Sequence, residues 1–165
     1  MQISLENYLK KHNISYKEFY HDAVFTVEES KKIKFSIPCL HTKSLFLKSK
    51  DNSSSKPIIY YLVCLQADKR LNIKFLQKHL HHEKLTFASS KELSSILNVS
   101  PGSVSIFTLI APSSSQVSLI LDSDIYNAEA IGFHPNINTS TLVLSQENFR
   151  KFYDSLKQKK EILEL

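Results

Sequence analysis

The apolar residues of this chain change their spacing several times, which predicts strands and helices that follow one another within one domain. Residues 42–48, TKSLFLK, alternate between apolar and polar and predict a half-buried strand, whereas residues 58–65, IIYYLVCL, predict a fully buried one. The polar segment between them predicts a hairpin with a loose tip. Shorter strands are expected at residues 16–20, 85–89, 104–110, 117–121 and 139–144.

Residues that commonly cap helices precede the segments with helical spacing. After Ser4, the apolar residues Leu5, Tyr8 and Leu9 recur at intervals of three and four, which predicts a helix to about residue 12 or 13. The T-x-x-E pattern of residues 26–29 is a capping box and predicts a second short helix. The remaining helices are expected to begin at the caps Asn72, Ser90 and Ser145, and the last has the apolar face Phe149, Phe152, Tyr153 and Leu156.

The order of these elements shows hairpins and no regular βαβ alternation, which indicates the α+β class. With 165 residues, of which 42% are hydrophobic, the chain can bury a core. We expect one compact domain over residues 1–165, with a mixed, mostly antiparallel sheet and surrounding helices. No apolar run approaches the roughly 20 residues that cross a bilayer, and MQISLENYLKK lacks the apolar centre of a secretory signal. We therefore expect a cytoplasmic protein without a membrane partner.

The charge balance is positive: 21 Lys and Arg against 16 Asp and Glu give a net charge of +5. That is compatible with a polyanionic partner but is also common in ordinary soluble proteins. The basic residues concentrate in two groups, and for each group taken alone a solvated helix face is the simpler explanation. One group is Lys69, Arg70, Lys74, Lys78 and Lys84, and the other is Arg150, Lys151, Lys157, Lys159 and Lys160.

Glycine is rare, with only Gly102 and Gly132 where average usage would give about a dozen. A chain so poor in glycine is expected to keep one where the backbone needs a positive φ or a close approach. The same scarcity excludes nucleotide folds that depend on glycine-rich loops, since neither GxGxxG nor GxxxxGK[ST] occurs.

Two segments contain side chains suited to chemistry. Residues 134–141, HPNINTST, place six hydrogen-bonding side chains before a strand and can aim an imidazole and amides into one pocket. A turn whose side chains bond their own backbone explains them equally well. Lys43 shares a strand face with Leu45 and Leu47, which is unusual for a lysine on a buried face. At a cleft it could pair with a phosphate or a developing oxyanion, and a lysine reaching out at the sheet edge is the alternative.

The cysteines and histidines do not form a metal motif. Cys39 and Cys64 have no partner at zinc-binding spacing, and Cys64 lies in a buried strand. Cys39 could in principle act as a nucleophile, although a free cysteine is more often a small buried apolar residue. The run HLHH at residues 79–82 diverges around a helix end, so we expect neither a metal nor another cofactor.

Five segments in the same order resemble the prolyl-tRNA editing (YbaK/ProX) family, in particular its free-standing branch, which is similar to the editing insertion of bacterial prolyl-tRNA synthetases. The resemblance extends from about Tyr8 to Phe152. The segments are HTKSLFLK, LVCLQADKRLN, LTFASSKELSSILNVSPGSVSIF, VSLILD and FHPNINTST.

This resemblance implies an α+β domain that hydrolyses mischarged aminoacyl-tRNA in trans, typically removing alanine from tRNA specific for proline. Relatives remove serine, threonine or cysteine, and a tRNA-binding relative without catalysis is a further alternative. The implied partner is the acceptor end of a tRNA, and it stays open whether the protein docks on prolyl-tRNA synthetase. Catalytic roles are implied for Lys43 and His134, and substrate contacts for Thr42, Ser44, Gly102, Ser103, Val104, Asn138 and Thr139.

The sequence also departs from the family pattern. The proline of the family's GxxxP loop is Ile106 here, and the asparagine that follows the strand lysine is Ser44. After the loop, residues 108–112 are TLIAP where the family often has G-L-I-N-D. These departures predict a changed loop or an altered amino-acid pocket more than a loss of hydrolysis.

Overall fold

Strands from both halves of the chain meet in one mixed sheet. The computed structural model describes residues 3–22, 36–50 and 56–165. Its strands are β1 (Lys17–Tyr20), β2 (Leu40–Ser49), β3 (Tyr60–Gln66), β4 (Leu85–Phe87), β5 (Val117–Asp122), β6 (Ala130–Phe133), β7 (Ser140–Ser145) and β8 (Lys160–Leu163). Its α-helices are α1 (Ile3–Lys11), α2 (Ile73–His79), α3 (Ser90–Glu92), α4 (Ser123–Asn127) and α5 (Gln146–Ser155).

The strand order in the sheet is β1-β7-β6-β2-β3-β5-β8, with β4 paired to β2. The pairs β1/β7, β7/β6, β2/β3 and β2/β4 are antiparallel, and β6/β2, β3/β5 and β5/β8 are parallel. The expected class, a single compact α+β domain with a mixed and mostly antiparallel sheet, is therefore confirmed.

The two faces of the sheet bury two separate clusters, because successive side chains of a strand point to opposite faces. Phe46 of β2 belongs to the larger cluster and Leu47 to the smaller one, which α2 covers with Leu76. The predicted hairpin of β2 and β3 is present, and Lys43 shares the face of Leu45 and Leu47 as expected. The larger cluster includes the aromatic residues Phe107, Phe133, Phe149 and Phe152.

Two of the expected helix caps are confirmed and one is wrong by a residue. The cap expected at Ser4 is also wrong, because α1 already includes Ile3 and Ser4. The side chains of Asn72 and Ser145 cap α2 and α5. The cap of α3 is Ser89 and not Ser90, because the helix then has Glu92 at its third position. The Glu92 carboxylate accepts from Ser89 N at 2.7 Å and from Lys48 Nζ at 2.8 Å. Hydrogen bonding to Lys48 in particular lowers the pKa of Glu92 to about 2.

The strand expected at residues 104–110 is wrong, since Ile106–Ile110 is a 3₁₀ helix. Ser105 caps this helix, and its side chain accepts a hydrogen bond from Phe107 N. The sequence pattern does not predict α4, β6 and β8. The helix predicted to begin at the capping box of residues 26–29 lies outside the described residues. Among the described helices, none combines the length and apolar character needed to span a membrane.

Candidate active site

A cavity of about 360 Å³ lies at one edge of β2. Strand β6 pairs with β2 only at Leu40 and His41, and β4 pairs with it only at its far end. The part of β2 between these pairings therefore faces the cavity. The lining residues come from β2, from the segment after β3, from the loop before the 3₁₀ helix and from the end of β6: Thr42, Lys43, Ser44, Ala67, Gly102, Val104, Ser105, Phe133 and His134.

Lys43 is held in place on both its backbone and its side chain. Its backbone is fixed by the β2/β3 pairing, in which Lys43 lies opposite Leu65. Its ammonium donates a hydrogen bond to the backbone carbonyl of Lys69. An ammonium has three N–H groups, so two of them are left to bind an anionic or carbonyl oxygen in the cavity.

His134 is positioned as a neutral base. Its Nδ1 lies 2.9 Å from the backbone carbonyl oxygen of Ser140. A carbonyl oxygen can only accept, so Nδ1 bears the proton and Nε2 presents a lone pair. Burial lowers the pKa of His134, and the nearby His21 and His41 lower it further, against the opposing effect of the Ser140 bond. The imidazole is therefore uncharged at neutral pH and able to accept a proton.

Both glycines occupy positions that demand glycine, as expected. Gly102 has a φ of +87°, a conformation that other residues rarely adopt. Gly132 lies in a close contact, because a Cβ built there would be 2.6 Å from Cys39 Sγ. The Gly132 carbonyl oxygen also accepts a hydrogen bond of 2.7 Å from Thr42 Oγ1, which ties β6 to the cavity edge of β2.

Neither cysteine is suited to be a nucleophile. Burial raises the pKa of Cys39 to about 11 and that of Cys64 to about 12, so both are protonated thiols at neutral pH. Cys64 Sγ is instead 3.2 Å from Ser44 Oγ, which connects the cavity edge to the core.

The histidines of residues 79–82 point to different partners. His79 Nε2 is 2.8 Å from Glu161 Oε1, and His82 Nε2 is 2.7 Å from the Tyr61 hydroxyl. Across the part of the chain that the structure describes, no group of three or more His, Cys, Asp or Glu side chains could hold a metal ion.

Six of the nine site residues named from the sequence line the cavity, and the other three do not. Ser103 is half-buried between lining residues, Asn138 is half-buried on the turn after His134, and Thr139 is exposed. The sequence reasoning missed three further lining residues, of which Phe133 directly precedes His134 and Ala67 directly follows a buried strand. Their positions next to His134 and next to a buried strand could have indicated both residues. The third missed lining residue is Ser105.

Comparisons with known proteins agree with this geometry. The family described as aminoacyl-tRNA editing domain matches residues 21–152. The prolyl-tRNA editing protein ProX of Acetoanaerobium sticklandii is 33% identical over 138 residues, which is 84% of this chain and 81% of that protein. The prolyl-tRNA synthetase associated domain-containing protein 1 of Danio rerio is 29% identical over 96% of this chain and 84% of its own length.

A solved structure shows the same fold at low identity. The crystal structure of a candidate trans-editing enzyme for prolyl-tRNA synthetase has a TM-score of 0.70 and 13% identity, and the match covers 100% of this chain and 98% of that one. With the family match over most of the chain and the ProX relative above, the chain belongs to the aminoacyl-tRNA editing domain family.

Proposed function

We propose that this protein is a trans-editing deacylase that hydrolyses the ester bond of mischarged tRNA, with alanyl-tRNA specific for proline as its substrate. The observation that carries the proposal is the meeting of Lys43, the Gly102 loop and His134 in one cavity. Similarity to a protein named for prolyl-tRNA editing supports proline-specific tRNA as the substrate class.

The chemistry of an aminoacyl ester matches the groups in this cavity. An aminoacyl ester is already activated, so its hydrolysis needs a positioned water, a donor for the carbonyl oxyanion and a pocket for the amino acid. His134 Nε2 accepts a proton from the attacking water, because its Nδ1 is taken up by Ser140 and the ring is neutral.

Lys43 binds the oxygen that becomes negatively charged, or the phosphate next to the terminal adenosine. The backbone N–H groups of Gly102 and Val104 are the second set of donors, whereas the Ser103 N–H donates to the Ser100 carbonyl oxygen. One such donor is typically worth about 3 kcal/mol in the transition state.

A second sieve for a small amino acid is needed because a synthetase pocket discriminates weakly between similar side chains. A synthetase pocket shaped for one side chain rejects a smaller one by only about 1–3 kcal/mol per missing methylene group. A separate site that admits only the smaller side chain removes the error. Phe133 and Val104 are the apolar side chains that would limit the amino acid here.

The direct test compares deacylation of alanyl-tRNA and prolyl-tRNA, both specific for proline, by the wild-type protein and by Lys43→Ala. We expect rapid loss of alanine only, and a loss of activity of at least about 100-fold in the variant. Lys91→Ala is the control, since Lys91 is an exposed residue of α3 outside the cavity and should leave the rate unchanged.

A panel of tRNAs charged with serine, threonine or cysteine separates the remaining alternatives. Hydrolysis of one of these instead of alanyl-tRNA would keep the deacylase and change its amino acid. If every charged tRNA is bound and none is hydrolysed, the protein is a tRNA-binding relative and the proposal is wrong.

A further inference from the structure

Helix α2 has one apolar face and one face of exposed positive charge. Leu76 is completely buried in the smaller core cluster, whereas Lys74 and Lys78 are exposed, one helical turn apart. The surrounding segment, residues 69–82, contains four Lys or Arg, three His and no Asp or Glu. A solvated helix of a globular protein usually mixes both signs of charge, so this face is unusual.

The segment that precedes α2 lies beside the cavity, and the helix leads away from it. In that segment, Ala67 lines the cavity and the Lys69 carbonyl accepts the bond from Lys43. Just beyond its far end, His82 Nε2 is 2.7 Å from the hydroxyl of Tyr61, which lies near the beginning of β3. Since β3 ends next to the cavity, α2 leads from the cavity back along the sheet. Lys74 and Lys78 therefore lie at increasing distance from the site.

The charges on this face have no ion-pair partner among the described residues. No ion pair between described residues involves Arg70, Lys74 or Lys78, and all three are exposed. Lys69 differs, because its ammonium lies 2.9 Å from an oxygen of Asp122 and 2.8 Å from one of Asp124.

The second basic group, near the C-terminus, is largely used in the fold. Lys160 Nζ donates to the carbonyl oxygens of Tyr153 at 2.6 Å and Leu156 at 2.9 Å. Lys151 is 2.7 Å from Glu147, and the Arg150 guanidinium lies 4.6 Å from the ring centre of Tyr126. Of this group, Lys157 and Lys159 are exposed and form no ion pair between described residues.

We infer that the outer face of α2 binds the phosphates of the tRNA acceptor stem, and that the C-terminal basic group does not. Double-stranded RNA is recognised mainly through its backbone, which a row of lysines can follow. Phe75, 45% exposed between the two lysines, adds an aromatic surface to the same face. The inference rests on the proposed function, because the acceptor end must reach the cavity while the stem lies along the helix.

Binding of uncharged tRNA specific for proline tests this surface without any catalysis. The affinity of Lys74→Gln/Lys78→Gln is measured by fluorescence anisotropy over a salt series, beside Lys157→Gln/Lys159→Gln as the control with an equal loss of exposed charge. We expect the α2 variant to bind more weakly and the slope of log affinity against log salt to fall by about 1–2, with the control unchanged. Equal effects in the two variants, or no effect of the α2 changes, would overturn the inference.

Deacylation then separates the surface from the site. On alanyl-tRNA the α2 variant should lose kcat/KM and keep kcat, whereas on alanine esterified to a short single-stranded acceptor-end oligonucleotide it should match the wild type. If the wild-type protein binds tRNA through α2 but hydrolyses no charged tRNA, the inference about the surface stands and the proposed function is wrong. If the wild type is active but the α2 variant loses as much activity on the oligonucleotide as on the tRNA, the inference that α2 binds the acceptor stem is wrong.

Discussion

The ammonium of Lys69 lies 2.9 Å from the carboxylate of Asp122, a side chain that is completely buried at the end of β5. Strands β3 and β5 are parallel neighbours, so the segment after β3 meets the end of β5. Burial opposes the charge of Lys69, yet its hydrogen bonds to Asp124 and Asp122 raise its pKa. The carbonyl of Lys69 also accepts the bond from Lys43, so this ion pair fixes the segment that positions the cavity lysine.

Removing the ammonium of Lys69 should therefore destabilise the protein. Lys69→Met leaves the buried carboxylate of Asp122 without its cation, and we expect the free energy of unfolding to fall by about 2 kcal/mol or more. Urea unfolding measures this. Lys151→Met, which breaks the exposed pair with Glu147, should leave the midpoint unchanged. Equal midpoints for the two variants would show that Asp122 does not depend on Lys69.

The lowered pKa of His134 predicts the pH dependence of deacylation. If neutral His134 is the base, kcat/KM should stay level at neutral pH and decline only below the ordinary histidine value of 6.5, as the imidazole takes up a proton. His134→Gln should be slower and should lose this decline, and His79→Gln, whose ring pairs with Glu161 instead, should keep it. A decline centred above 6.5, or one that persists in His134→Gln, would contradict the assignment.

The same shift has a consequence for stability. Folding lowers the pKa of His134, so just below pH 6.5 this histidine is protonated to a greater extent in the unfolded state than in the folded state. The free energy of unfolding should consequently fall as the pH drops from 6.5 towards the folded pKa of His134. Urea unfolding at several pH values in this window should show a smaller fall in His134→Gln.

The two glycines should respond differently to the same substitution. Gly132→Ala places a Cβ 2.6 Å from Cys39 Sγ, and we expect a loss of about 1–3 kcal/mol from overpacking. Adding Cys39→Ala removes the sulfur and should recover part of that loss. Gly102→Ala has open space around its Cβ but a φ of +87°, so its loss of about 1–2 kcal/mol should be the same with and without Cys39→Ala. A double-mutant cycle with no coupling at Gly132 would refute the contact.

The cavity-lining residues that stand out in the sequence are those whose chemistry conflicts with their local pattern. Lys43 shares a face with core leucines, Gly102 is one of two glycines, and His134 opens a polar turn before a strand. The resemblance to the family implies substrate contacts for Asn138 and Thr139, but neither residue lines the cavity. The path of a turn depends on backbone angles that composition does not determine, and Asn136 in this turn has a φ of 60°.

The elements missed from the sequence depend on contacts that are distant along the chain. Strands β6 and β8 pair in parallel with β2 and β5, which lie far earlier in the chain. The sequence of the 3₁₀ helix Ile106–Ile110 predicts a strand, because β-branched and aromatic residues favour strands. Its local capping by Ser105 overrides that preference.

The same capping predicts that Ile106→Pro will be tolerated, although Ile106 is completely buried. Ile106 is the first residue of its 3₁₀ helix, a position that proline occupies readily, and within the described residues its N–H donates to no acceptor. Ser105 before it has φ −145° and ψ 162°, the extended conformation that a following proline requires. The departure from the family's GxxxP loop is thus compatible with the same backbone shape.

Urea unfolding and deacylation of alanyl-tRNA measure the outcome for three variants. Ile106→Pro should lose no more stability than Ile106→Ala, which costs about 2–5 kcal/mol through the cavity it creates, and should keep deacylase activity within a few-fold. Thr108→Pro should lose about 3 kcal/mol or more, since Thr108 N donates to the Ser105 carbonyl oxygen at 3.1 Å and proline cannot. If Ile106→Pro is as damaging as Thr108→Pro, the loop of this protein has a backbone shape that excludes proline, and the family comparison fails at this position.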